Sequence, residues 1–128
     1  MYFGYVVVIM LSKNFTIQEF VCKCGCGADD ISLELVEKLQ LLRDELGTPI
    51  QVTSGVRCKS HNRAIGGSDS SSNLTTNATA VDSACTGSRN RYEILSKAVL
   101  IFNRCGIAKT FIHLDVDAGK PSGVVWLY

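Results

Sequence analysis

Between Ser32 and Gly47, apolar residues recur at Leu33, Val36, Leu39, Leu42 and Leu46. That spacing follows the 3.6-residue turn of an α-helix and gathers the apolar side chains into one stripe. Ser32 is placed to cap the first free amides, and Gly47 can take the left-handed conformation that ends a helix. A stripe of this kind is stable only against a second layer, so the rest of the chain must supply one. At 128 residues, with 46% apolar side chains, the chain can build one real core. A single domain is expected.

The second layer reads as short strands. Pro49-Ile-Gln-Val-Thr53 alternates in polarity and runs into the turn Ser54-Gly-Val-Arg57, Ala80-Val-Asp-Ser-Ala-Cys85 suits a short buried strand, and Thr110–Val116 and Val124–Leu127 close the chain. Thr16-Ile-Gln-Glu19 has the form of a capping box at the start of a short helix, and His61–Ile65 forms another, stopped by Gly66-Gly67. Apolar positions predict a further amphipathic helix over about 89–103, with Tyr92, Leu95, Val99 and Phe102 facing inward. Residues 68–79 are almost wholly Ser, Thr, Asn and Asp, which favour turns, so they form the longest loop. The expected class is α+β, a small single domain whose few-stranded, mainly antiparallel sheet carries helices packed on one side.

The near balance of 13 basic and 12 acidic residues argues against a nucleic-acid partner. Residues 2–11 form an apolar run of about ten, short of the ~20 needed to span a bilayer, and lack the basic flank and cleavage site of a signal peptide. Either they add a strand or Met10 is the true start, with the preceding residues an apolar N-terminal extension. The second reading fits better, because Leu11–Phe20 already reads as a domain opening; the domain then runs over 11–128. Six cysteines stand as Cys22-x-Cys24-x-Cys26, then singly at Cys58, Cys85 and Cys105. This spacing matches neither a familiar disulfide framework nor the paired knuckles of a structural zinc site. Reduced thiols, buried as small hydrophobes or carried on loops, are expected.

Candidate chemistry rests on few residues. The only histidines are His61 and His113. In His113-Leu114-Asp115 the two-residue strand period puts the imidazole and carboxylate on one face, about 6–7 Å apart at the backbone. Asp82, inside an apolar strand, is costly to bury unless it is paired or bound to metal. Arg57 could grip a substrate carboxylate with its planar fork, or simply pair with Asp82 or Asp115.

Taken in order, Ser54-Gly-Val-Arg57-Cys58, His61-Asn-x-Ala-x-Gly-Gly67, Ser71-Ser72-Asn73-Leu74, Val81-Asp82 and Phe111-Ile-His113-Leu-Asp115 resemble the M15 zinc peptidases. These include D-alanyl-D-alanine carboxypeptidases and phage endolysin domains. The resemblance runs from about Leu11 to the C-terminus and takes in Phe20-Val-Cys-Lys-Cys-Gly-Cys-Gly27 and Trp126. It implies a Zn2+ cofactor and cleavage of D-Ala-D-Ala or related bonds in a bacterial peptidoglycan peptide, by a monomer of phage or bacterial origin. It also implies Asp82 and His113 as metal ligands, Asp115 as the substitute catalytic base, and Arg57 with Ser72 as substrate-binding groups.

The family's remaining ligand is a histidine in a pattern resembling Ser-x-His-x-x-Gly-x-Ala-x-Asp. Matched from the upstream side, that position falls on Asn73, and Asp82 then aligns only after a two-residue insertion near Thr79-Ala80. Matched backward from Asp82 it falls on Thr75. Neither register supplies a histidine, so the metal site is degenerate. The alternative function is a non-catalytic module that binds peptidoglycan peptides.

Overall fold

The computed structural model describes residues 8–68, 70–74 and 77–128. The question of a strand within the apolar run therefore lies largely outside the described residues, and Thr75 falls outside them too. Met10 makes an isolated bridge to Thr16, and the Ile17 amide donates to the Ile9 carbonyl at 3.0 Å. A 3-10 helix, Ile17–Glu19, follows, with the Glu19 carboxylate accepting the Thr16 amide at 2.6 Å.

Helix α1, Leu33–Leu46, begins where the Ser32 hydroxyl accepts the Leu35 amide and ends at Gly47, whose φ is 67°. Leu35, Val36, Leu39 and Leu42 are buried, whereas Leu33, placed on the stripe from sequence, is 63% exposed. Strand β1, Val52–Ser54, is shorter than the alternation suggested, and helix α2, Lys59–Ala64, starts earlier than His61. Strand β2 is Ala80–Ala84, helix α3 Ser88–Ile101, strand β3 Arg104–Ile107, strand β4 Phe111–Asp115 and strand β5 Val124–Leu127.

The expected inward face of α3 needs correction. Ile94 and Ala98 are its buried residues, while Tyr92 is 75% and Val99 47% exposed. Phe102 is buried, but as the extended residue that caps the helix. Ile94, Leu95, Ala98, Val99 and Ile101 allow two apolar phases in the second half of α3, and the one that buries Ile94 and Ala98 in the core is the one adopted.

The five strands form one sheet in the order β1-β2-β4-β3-β5. All neighbours are antiparallel except β3 and β5, which run parallel. Strand β3 was not apparent from sequence, where the helix was expected to end at about residue 103 and the next strand to begin only at Thr110. Along β4, Ile112 and Leu114 join the core with Val81, Phe102, Ile94, Ala98 and the buried side of α1. The intervening Phe111, His113 and Asp115 point to the opposite face by strand alternation. The domain is thus α+β, with its core between the helices and one side of the sheet.

Candidate active site

Cross-strand register assembles the site. Asp82 on β2 lies opposite His113 on β4, His113 opposite Gly106 on β3, and Gly106 opposite Trp126 on β5. A second row sets Ala80, Asp115, Arg104 and Val124 side by side. Gly106 leaves the space that Trp126 of β5 and the following Tyr128 occupy. A Cβ there would stand 2.7 Å from Trp126 and Tyr128 ring atoms. The Trp126 ring consequently lies 5.3 Å, centroid to centroid, from the His113 imidazole.

His113 is buried and both ring nitrogens are engaged: Nδ1 meets Asp82 Oδ1 at 3.0 Å and Nε2 meets Asp115 Oδ2 at 2.7 Å. Each carboxylate has its own guanidinium. Arg57 donates to Asp82 Oδ2 at 3.0 Å, and Arg104 donates through Nε to Asp115 Oδ1 at 2.8 Å. The Asp117 amide also donates to Asp115 Oδ1. Burial opposes protonation of His113, but its bonds to Asp115 and Asp82 and their charges outweigh this and raise its pKa above the ordinary value. The result is a buried chain of alternating charge, Arg57–Asp82–His113–Asp115–Arg104.

Arg57 is held by more than Asp82. Its Nε donates to Ser54 Oγ at 3.0 Å and its Nη1 to Asn62 Oδ1 at 3.4 Å. Ser72 donates to Asp117 Oδ2 at 2.7 Å and accepts from Lys120 Nζ at 2.9 Å. Asn73 is 1% exposed and its Nδ2 donates to two backbone carbonyls, Gly55 and Ala80, each at 2.9 Å. Two acceptors on one side set the amide orientation and leave only Oδ1 to face elsewhere.

Arg57, Ser72, Asn73, Asp82, His113 and Asp115, all singled out from sequence, line one cavity of about 240 Å3. His61 is not among the residues lining it. Arg104, Lys120 and Tyr128 also line it and were missed. No local motif marks them: Arg104 reaches the site through the unforeseen strand β3, and Lys120 through the loop before β5. Trp126 closes one side, with the Arg104 guanidinium 4.9 Å above its ring, a cation–π contact.

The donor set can be weighed against a catalytic zinc, which takes three protein ligands and keeps a fourth position for water. Asp82 and His113 supply two. Asp115 sits on the far ring nitrogen and cannot share an ion with Asp82 through the same face of the imidazole. Asn73 offers at most a neutral carbonyl oxygen, a poor donor for zinc. Among the described residues Asp82, His113 and Asn73 therefore fall one strong donor short of the set that a catalytic zinc requires.

Comparison with known proteins accords with the motif order. No curated protein matches the chain. A family model described as Peptidase M15 matches residues 13–115, which includes β1, β2, β4 and every site residue except Lys120, Trp126 and Tyr128. This chain therefore belongs to the M15 peptidases, a family of zinc metallopeptidases.

Proposed function

We propose that this chain binds the stem peptide of bacterial peptidoglycan in the cavity between Arg57 and Trp126, and that it does so without zinc-dependent cleavage. The observation that carries this reading is Asn73, a neutral amide whose Nδ2 is bonded to two backbone carbonyls, at the position where the family pattern has a histidine ligand. What remains is a recognition surface. Arg57 and Arg104 retain N–H groups beyond those engaged, suited to a peptide's terminal carboxylate. Phe111, Trp126 and Tyr128 supply an apolar wall for small side chains such as alanine.

A specific observation favours a second reading, a weakened zinc peptidase. Asp82 Oδ1 and His113 Nδ1 are 3.0 Å apart, close to the ~3.3 Å separating two ligands on a tetrahedral zinc with bonds near 2.0 Å. In that case Asp82 and His113 would hold the ion, which polarises a scissile carbonyl and acidifies its bound water when present. Arg57 would orient the substrate carboxylate, and Asp115 would hold the far side of the imidazole.

One experiment separates the two. The full chain is mixed with a D-Ala-D-Ala-terminated stem peptide, with and without added zinc, while calorimetry follows binding and mass spectrometry follows release of D-alanine. Binding without release, weakened at least about tenfold by Arg57→Gln, supports the binding module. Zinc-dependent release that His113→Ala abolishes establishes the peptidase instead. Absence of binding removes both.

A further inference from the structure

Away from the pocket, the fold brings together four cysteines whose spacing had suggested unrelated thiols. Cys22, Cys24 and Cys26 alternate along one loop, and Cys58 comes from the turn after β1; their Sγ atoms all lie within 4.8 Å of one another. Cys22 and Cys24 sulfurs are 3.4 Å apart, and those of Cys24 and Cys58 3.6 Å. Four thiolates on a tetrahedral zinc with bonds near 2.3 Å stand ~3.8 Å apart.

The backbone has the form that such a centre requires. The Cys22 amide donates to the Ala28 carbonyl at 2.8 Å, closing the loop at its base. Gly25 and Gly27, at φ 85° and 84°, take the left-handed conformation that lets three alternate cysteines turn toward one point. Amides also face the sulfurs: Cys58 N–H donates to Cys22 Sγ at 3.4 Å, and His61 N–H to Cys58 Sγ at 3.3 Å. Such N–H···S bonds stabilise thiolate charge and are the outer-layer contacts expected around a metal centre.

We propose that Cys22, Cys24, Cys26 and Cys58 form a structural four-thiolate site for one zinc ion, whatever the pocket binds. Four thiols release four protons to solvent as the ion binds, leaving no open position for catalysis. All-sulfur tetrahedral donors select zinc over hard cations. The centre fastens the loop over 22–27 to the residue next to Arg57. Arg57 is thereby anchored from behind, through Cys58, as well as from the front, through Asp82.

The test uses the full chain purified under reducing conditions, with metal content read by elemental mass spectrometry. About one zinc per chain is expected in Asp82→Asn/His113→Ala, whose pocket has lost its metal-binding groups, and none once Cys24→Ser/Cys26→Ser is added. Cys24 and Cys26 are exposed, so their substitution leaves the core intact. In the native wild-type protein, a chelator should make Cys24, Cys26 and the half-buried Cys58 newly reactive toward a thiol reagent. Should a variant fail to fold, cobalt-loaded wild-type protein decides the matter: a thiolate-to-cobalt charge-transfer band supports the site, and its absence overturns it. Zinc retained by the chain carrying both sets of substitutions, iron in place of zinc, or an intact mass two hydrogens low from a disulfide would each overturn it as well.

Discussion

Replacing Gly55 by alanine tests how the Arg57 turn is built. A Cβ at Gly55 would lie 2.7 Å from the Phe20 carbonyl oxygen and 2.8 Å from its Cα. Those are backbone atoms of a fully buried residue, and the Val56 amide holds the same carbonyl at 2.8 Å. Relieving the contact means separating the two backbones by roughly 0.5–0.7 Å, since an ordinary carbon–oxygen approach is about 3.3 Å or more. That lengthens the Val56–Phe20 hydrogen bond to its limit, a loss of about 1 kcal/mol, on top of about 1–3 kcal/mol for overpacking. The expected cost is about 2–4 kcal/mol, or roughly 8–16 °C in melting temperature for a chain of this length. Gly106→Ala is the comparison. Its Cβ would meet atoms at the same 2.7 Å, but these are ring edges of Trp126 and Tyr128, and Tyr128 is 68% exposed. The rings can swing outward, so about 1 kcal/mol suffices, and the single tryptophan should report the movement as a shift in fluorescence. Guanidinium unfolding of both variants gives the free energies. The reasoning fails if Gly55→Ala melts within a few degrees of the parent protein, or if Gly106→Ala proves the more damaging.

Two further outcomes are expected. His113 has a folded pKa above its ordinary value of 6.5, so its contribution to stability is complete below that value and is lost as pH rises through the folded pKa; melting temperature should fall over that interval, and His113→Gln should flatten that part of the curve. The phase of α3 predicts that Val99→Lys changes stability by less than about 0.5 kcal/mol, whereas Ala98→Leu, forcing a large side chain into the closed core, costs about 1–3 kcal/mol by chemical denaturation.

Some of this was legible one residue at a time. Helix α1 needs only its stripe, its serine cap and its glycine stop, all within sixteen residues, because helical hydrogen bonds and caps are local. Asp82, His113 and Arg57 stood out because an acid in an apolar strand, a His-x-Asp pair and an arginine after a glycine turn each carry a local signature. The motif order then sufficed for the family.

What depended on the tertiary structure was every relation between distant segments. Both Asn73 and Ser72 were expected at the pocket, but the spending of the Asn73 amide on Gly55 and Ala80 follows from where three strand ends and loops meet. The pairing of Arg104 with Asp115 follows from the register of β3 against β4, and β3 has no strong sequence pattern of its own. Cys58 lies 36 residues from Cys22, so no spacing rule joins them until β1 and its turn return the chain to the loop over 22–27. The phase of α3 likewise waited on α1, because its apolar residues could face inward in two ways. Local propensity specifies an element and its ends, whereas cross-strand register and helix contact specify which side chains share a site, and these are set only when the whole core closes.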